Sequence, residues 1–186
     1  MGGIMSLILQ GSTSGSVTLQ EPAIAGTTVL TLPAVSGTVL TTTSPKAGNV
    51  IQVVSATYST IASNSTSTYA DTGLTATITP TSSSSKILVL IDQNGVGKSS
   101  ANSGNGVTIR LLRGATQLII LNEYASYTGT AIQNNVGSVS TNYLDSPATT
   151  SAVTYKTQFI NPNNTATAFV QNSNETSTIT LMEIAA

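Results

Sequence analysis

The stretch VTYKTQF at residues 153–159 alternates large and polar side chains with a period of two. Tyr155, Thr157 and Phe159 share one face, as in a β-strand with one face turned to a core. A second run, KILVLID at residues 86–92, is apolar on both faces. Such a run is typical of a central strand whose outer face is covered as well, either by a neighbouring subunit or by loops of the same chain. The two stretches together predict an all-β fold with packed sheets.

The composition favours the same fold class. Only 7% of the residues are charged whereas 39% are hydrophobic, and Ser and Thr are far more abundant than in an average protein. Thr, Val and Ile suit a pleated, half-buried surface. Turn residues separate the apolar runs at the spacing of a sandwich, and no segment repeats apolar residues at helical spacing. We therefore predict a jelly-roll-like β-sandwich with almost no helix.

A linker with Pro and Gly at residues 44–48 separates two parts of the chain. We assign residues 1–46 to an N-terminal β-repeat segment for attachment and residues 47–186 to the sandwich. The predicted strands of the sandwich are Val50 to Tyr58, Leu74 to Thr79, Lys86 to Asp92, Val107 to Arg113, Gln117 to Asn122, Ala131 to Ser140, Ala152 to Ile160, Thr165 to Gln171 and Ser177 to Ile184.

The N-terminal segment contains a repeat with a period of eleven residues. Its copies are GSVTLQEPAIA from Gly15, GTTVLTLPAVS from Gly26 and a degenerate one from Gly37. Each full copy is typical of a Gly turn, a short strand and a Pro-Ala stop. Strands this short expose most of their apolar side chains, so we expect another chain to cover them. The alternative is an ordinary meander packed on its own domain.

An apolar chain end indicates a covering surface, because terminal segments are otherwise polar and frayed. If this end adds a strand to a capsid sheet or to a neighbouring subunit, backbone hydrogen bonds supply affinity and alternate side chains set the register. The repeat and the two-sided strand at residues 86–92 together predict a homotrimer. The predicted partner-contact residues are Ile4, Leu7, Ile8, Leu9, Val17 and Leu19.

The residue types that common enzymes need are scarce. The chain has no His and no Cys, which removes the commonest general base and the commonest metal ligands. Its seven acidic residues are scattered singly, unlike the paired carboxylates of a glycosidase. A net charge of -1 supplies no positive field for nucleic acid, and no apolar run is long enough to cross a bilayer. We predict a non-enzymatic protein with no cofactor, metal, nucleic-acid or membrane partner.

Three local motifs have a structural and a chemical interpretation. The segment DQNGVGKS at residues 92–99 ends like a phosphate-binding loop but lacks the first glycine and a following helix, so we interpret it as a long flexible surface loop. Glu123 beside Tyr124 and Tyr127 could border a sugar-binding shelf, with a solvated loop as the preferred interpretation. Asp145 is predicted to cap backbone amides in a turn.

Several stretches, in this order, resemble a family of β-rich virion proteins of tailed phages, including cyanophages. Members of that family act as head decoration (cement), head-fibre or tail-fibre proteins. The resemblance implies a trimeric protein on the exterior of the virion, with the major capsid protein or another virion protein as its partner. The stretches are the repeat from Gly15 to Leu40, GNVIQVV at 48–54, SSSSKILV at 82–89, TIRLLRG at 108–114, NYLDSP at 142–147 with TYK at 154–156, and STITLMEI at 177–184.

The short segment 1–46 favours a compact cap over a fibre, since a receptor-binding fibre usually has a long shaft before its tip. We therefore expect a trimeric capsid decoration protein that bridges and stabilises capsid subunits. The alternative is a short tail or head fibre, a receptor-binding protein that contacts host surface glycans. A depolymerase is disfavoured by the missing paired carboxylates.

Overall fold

The computed structural model describes residues 6–10, 12–20, 27, 29, 34, 45–99, 106–127, 137–163 and 166–186. The chain divides into two compact units, residues 1–39 and 40–186, whereas the predicted boundary lies between residues 46 and 47. The first unit contains a hairpin of β1 (Ser6–Gln10) and β2 (Ser16–Gln20). Gly15 precedes β2 with a φ of 77°, a left-handed conformation that favours glycine. The repeat copies that start at Gly26 and Gly37 lie almost wholly outside the described residues.

The second unit is built from antiparallel strands. A 3₁₀ turn at Asn172–Asn174 is the only helical element in the part of the chain that the structure describes, so the prediction of almost no helix is confirmed. The strands are β3 (Val50–Tyr58), β4 (Ala62–Asn64), β5 (Ala70–Ile78), β6 (Lys86–Lys98), β7 (Val107–Arg113), β8 (Thr116–Ala125), β9 (Gly137–Asp145), β10 (Val153–Ile160), β11 (Ala168–Val170) and β12 (Ser177–Ile184).

These strands form two sheets that pack face to face. One sheet has the order β5-β10-β7-β8, and the other has β3-β12-β6, with β9 on β6 and the short strands β11 and β4 as an extension. If β4 and β11 are left out and the other eight strands of the domain are numbered one to eight in chain order, the second sheet has the order 1-8-3-6. The four-stranded sheet then has the order 2-7-4-5. This order is that of a double-sheet jelly roll. The predicted jelly-roll-like sandwich is confirmed.

The segment 92–99 is not the flexible surface loop that we predicted. β6 continues through it as far as Lys98, and Val96 is fully buried. Its glycines do not form a loop but let other residues approach the strand closely. A Cβ on Gly95 would lie 2.2 Å from the backbone nitrogen of Asn172. A Cβ on the next glycine in the strand, Gly97, would clash with an aromatic ring to the same extent. Glycine inside a strand marks such backbone contacts.

Two apolar clusters fill the space between the sheets. The first cluster contains Tyr155 and buried side chains from four other strands, and the second contains Phe159. Both residues are fully buried, as is Thr157 between them, so the inward face predicted from the period-two pattern is confirmed. The buried members are Leu74, Ala76, Ile78, Ile87, Val89, Ile91, Leu111, Tyr155, Ile179 and Leu181 in the first cluster, and Val96, Val107, Ile109, Ala125, Val139, Phe159, Ala168 and Val170 in the second.

A buried polar layer separates the two clusters and joins the sheets. The Thr157 hydroxyl donates to Gln93 Oε1 at 2.9 Å, and this hydrogen bond crosses from β10 to β6. Gln93 Nε2 donates to the hydroxyl of Ser177 at 2.9 Å, and the hydroxyls of Thr72 and Thr157 lie 2.6 Å apart. All four side chains are fully buried. Each polar group therefore depends on its partners, because none has water to replace them.

A second contact between the sheets surrounds Asp145, which is 5% exposed at the end of β9. Arg113 Nη1 donates to both carboxylate oxygens at 2.9 and 2.7 Å, and the Tyr155 hydroxyl donates to Oδ2 at 2.7 Å. Asp145 is therefore bound by side chains of the opposite sheet, and the prediction that it caps backbone amides in a turn is wrong. Burial and the hydrogen bond to this carboxylate raise the pKa of Tyr155 above its ordinary range.

Glu183 is a fully buried carboxylate on β12. Gln52 Nε2 donates to Oε2 at 2.6 Å, and the backbone nitrogen and hydroxyl of Thr81 both donate to Oε1 at 2.7 Å. Burial alone would raise the pKa of Glu183, but these hydrogen bonds outweigh it and hold the pKa below its ordinary value of 4.5. Glu183 thus fixes the segment after β5 to the middle of the other sheet.

We predict that Thr157→Val lowers the free energy of unfolding by about 1–3 kcal/mol, because it removes the hydroxyl that serves the buried amide of Gln93 while keeping the shape of the side chain. Thr154→Val is the matched control, since Thr154 lies on the same strand with its side chain exposed, and its effect should stay within about 0.5 kcal/mol. Urea denaturation measures both variants. Equal effects of the two substitutions would contradict a structural role for the polar layer.

We predict that Glu183→Gln lowers the free energy of unfolding at neutral pH by about 1–3 kcal/mol, because an amide nitrogen replaces an acceptor that faces Gln52. The folded-state pKa of Glu183 lies below its unfolded value, so its stabilisation is complete above that value and is lost as the pH falls through the folded-state pKa. Wild type should therefore lose more stability than the variant between about pH 5 and pH 3.

Thermal unfolding at a series of pH values tests this expectation. Glu123→Gln is the control at neutral pH, because Glu123 is an exposed carboxylate on β8, and it should change stability by less than about 0.5 kcal/mol. Parallel pH curves for wild type and Glu183→Gln would show that the buried carboxylate does not carry the acid sensitivity.

Candidate functional site

The outer faces of the two sheets differ in chemistry. Polar side chains cross all strands of the four-stranded sheet on its outer face. Asp71 accepts from Lys156 Nζ at 2.9 Å and from Gln158 Nε2 at 2.7 Å. Arg110 donates to Gln158 Oε1 at 2.6 Å and to Gln117 Oε1 at 3.0 Å. We call these five residues, Lys156, Asp71, Gln158, Arg110 and Gln117, the polar belt.

The residues of the polar belt are hydrogen-bonded to one another. The Arg110 guanidinium also lies 3.6 Å from the centroid of the Tyr69 ring, which is cation–π contact. Burial would raise the pKa of Asp71, but hydrogen bonds from Lys156 and Gln158 outweigh it and lower the pKa. Because the belt is exposed, its ion pair contributes little to stability. Ile120, which pairs with Arg110, is exposed on the neighbouring strand, but the belt itself is polar and needs no partner to cover it.

The outer face of the other sheet carries an apolar row across four strands. Val53 on β3 pairs with Met182 on β12, Met182 pairs with Leu88 on β6, and Leu88 pairs with Leu144 on β9. Val53 is 55% exposed and Leu144 50% exposed, and the two inner residues are half-buried. We call Val53, Met182, Leu88 and Leu144 the outer row. Leu90, two residues after Leu88 and on the same face of β6, adds exposed apolar surface beside the row.

Hydroxyl and amide groups border the outer row on one side. A shallow depression of about 430 Å³ lies there. In it the Ser140 hydroxyl donates to Asp92 Oδ1 at 2.6 Å, and the neighbouring positions are Thr178, Thr180 and Asn142. An apolar centre with a polar rim is the usual arrangement of a protein–protein interface. The two-sided apolar run at residues 86–92 therefore has an uncovered outer face within the described residues.

Five of the six predicted contact residues lie in the hairpin of the first unit. Leu7, Ile8 and Leu9 are on β1, and Val17 and Leu19 are on β2; Ile4 lies outside the described residues. The hairpin register pairs Leu7 with Leu19 and Leu9 with Val17. Ile8 is 55% exposed and Leu9 53% exposed. The hairpin thus pairs the predicted contact residues of β1 with those of β2.

A cleft of about 300 Å³ lies between the end of β8 and the start of β9. Tyr124 and Tyr127 line it with 47% and 52% of their surface exposed, and their rings stand at 78° to each other with centroids 6.2 Å apart. Glu123 does not line the cleft; it is exposed within β8, where its carbonyl accepts from Thr108. The predicted solvated loop is therefore strand at Glu123. The remaining lining residues are Val96, Asn122, Ala125, Ser126, Gly137, Ser138 and Val139.

The described residues contain neither a metal-binding cluster of carboxylates nor a membrane-spanning helix. In the described ranges, no group of three or more Asp or Glu side chains is placed to hold a metal ion. No helix in that part of the chain is long and apolar enough to span a bilayer. The buried carboxylates described above are instead bound by side chains and backbone of the sandwich itself.

The sequence predicted only the β6 part of the outer row. The apolar residues on both faces of β6 indicated an uncovered surface, but Val53, Met182 and Leu144 join it only through the pairing of strands that are far apart in sequence. A period-two pattern in each strand, without the register between strands, does not show which residues stand side by side.

Comparison with known proteins identifies no family for this chain. No protein-family model matches the chain, and no curated protein matches it in sequence. The surfaces described above and the residues quoted from the sequence are therefore what supports a function.

Proposed function

We propose that the protein is a non-enzymatic structural component of a tailed-phage virion, a homotrimeric capsid decoration protein on the exterior of the particle. The observation that carries this proposal is the outer row, an apolar strip across one sheet face of a sandwich whose opposite outer face is polar. The assignment to a phage particle rests on the sequence resemblance to phage virion proteins. Jelly rolls are common in viral capsids, which is consistent with this role.

Burial of the outer row supplies the energy for self-association. Removing a Leu, Val or Met side chain from water is worth about 1.5–3 kcal/mol when burial is complete, and less for residues that are already half-buried. Each copy contributes four such residues with the polar rim beside them. A closed three-fold arrangement buries the row of every copy, whereas an open one leaves the end copies uncovered.

Attachment to the capsid is the role proposed for the hairpin. Ile8 and Leu9 are exposed apolar side chains on a two-stranded ribbon, and such a ribbon is marginal in water without a cover. Its strand edges can pair with a sheet of the shell, and its side chains then set the register. A trimer attached in this way at three points binds by avidity and stabilises the assembled shell by mass action.

We predict that the purified protein is a trimer and that Leu144→Asp shifts it towards a folded monomer, because a carboxylate in the outer row cannot be buried without a partner. Thr77→Asp is the matched control: it places the same residue on an exposed strand position of the opposite outer face. Sedimentation velocity at several concentrations measures the oligomeric state of both. A wild-type monomer at micromolar concentration, or dissociation by both substitutions alike, would sink this proposal.

We predict that deletion of residues 1–39, the first compact unit, leaves a folded sandwich with an unchanged far-ultraviolet circular dichroism signal per strand residue but abolishes binding to capsids that lack the protein. The measurement is cosedimentation with such capsids. A second variant, Leu9→Ser in the full chain, should weaken binding without removing the segment, and Thr18→Ser should not. Undiminished binding of the truncated protein would place the attachment surface in the sandwich.

A further inference from the structure

The tyrosine cleft is not used by the proposed assembly. It lies at an end of the sandwich, between β8 and β9, whereas the outer row crosses a sheet face. Both tyrosines keep about half of their surface exposed, although large aromatic residues usually pack into a core or an interface. We infer that this cleft is a binding site for a neutral carbohydrate.

The shape and lining of the cleft suit a sugar ring. Tyr124 and Tyr127 stand nearly perpendicular, so they form two walls of one cleft. A pyranose ring offers polarised C–H groups on its faces, and the negative face of an aromatic ring attracts them. Asn122 and Ser138 line the same cleft with polar side chains that can hydrogen-bond ring hydroxyls. Its volume of about 300 Å³ is at the lower end of ligand pockets, which fits one or two sugar rings.

The cleft is held in place before any ligand binds. Asn122 Oδ1 accepts from the backbone nitrogen of Tyr124 at 2.9 Å, and the Ser126 hydroxyl donates to the carbonyl of Val96 at 2.6 Å. Ser126 has a left-handed backbone with a φ of 58°, which turns the chain between the two tyrosines. The Lys98 ammonium lies 5.6 Å from the centroid of the Tyr127 ring and orients it. A site fixed in this way loses little conformational entropy on binding.

The charges around the cleft favour a neutral ligand. Lys98 is only 4% exposed and its ammonium lies against Tyr127, so it offers little to an anion in solution. Glu123, next to Tyr124 in sequence, exposes a carboxylate. Tyrosines that stack nucleic-acid bases normally lie in a positively charged groove, whereas the net charge of this chain is -1. An anionic glycan or a nucleic acid is therefore a poorer match than a neutral sugar.

The test is calorimetric titration of the full-length protein with glucose, galactose, mannose, N-acetylglucosamine, and the disaccharides lactose and cellobiose. We expect at least one of these sugars to bind with a dissociation constant of about 10 mM or lower, as small rigid sites do for small ligands. Tyr127→Ala and Tyr124→Ala should each weaken that binding at least about tenfold, which is about 1.4 kcal/mol. Tyr127→Phe should retain most of it, because the ring face is kept.

Two controls separate this inference from the proposed assembly. Leu144→Ala alters the outer row and should leave sugar affinity unchanged, whereas Tyr127→Ala should leave the sedimentation coefficient unchanged. Sugar binding by a monomeric wild-type protein would therefore contradict the assembly alone. The carbohydrate site would be overturned if no sugar in the panel bound, or if Tyr127→Ala and wild type bound sugar with equal affinity. Binding of a single-stranded oligonucleotide in place of sugars would overturn it as well.

Discussion

The hydrogen bond from Thr157 to Gln93 crosses the middle of the core and constrains how the two sheets stack. Gln93 is fully buried, so a slip of β6 by two residues along its neighbours would leave the amide among aliphatic side chains, at a cost of about 1–3 kcal/mol. A slip by one residue would instead turn Leu88 and Leu90 into the core and turn Ile87 and Gln93 out of it. The polar layer thus favours the one register in which the outer row stands on the surface, so core and outer face depend on the same contact.

The scarcity of charge gives the two outer faces their different character. Among the described residues, two ion pairs join Lys156 with Asp71 and Arg113 with Asp145, and Glu183 is buried with neutral partners. Few charges remain to keep one copy of the protein away from another. The side chains of the polar belt form hydrogen bonds with one another, whereas the side chains of the outer row are apolar and cannot do so. The proposed association through the outer row rests on this asymmetry.

The strands β3, β7 and β12 have the bounds predicted from the sequence, because alternation and turn residues are local signals. Gly95 and Gly97 were interpreted as loop because the atoms they approach, in Asn172 and Phe169, come some seventy residues later. The pairing of Leu9 with Val17 in the hairpin was likewise not readable from composition. A sugar-binding shelf at Glu123, Tyr124 and Tyr127 was only the alternative to a solvated loop, and the register of β8 was needed to exclude Glu123 from the cleft.

The central claim is that another protein molecule covers the outer row in the native protein. Thiol labelling tests this claim most directly. The chain has no cysteine, so Leu144→Cys and Thr77→Cys each place a single thiol on one outer face. The account predicts that a thiol reagent modifies Cys at position 77 rapidly but modifies Cys at position 144 only after dilution or mild denaturant separates the copies. Equally rapid labelling of both positions in the undissociated protein would contradict it.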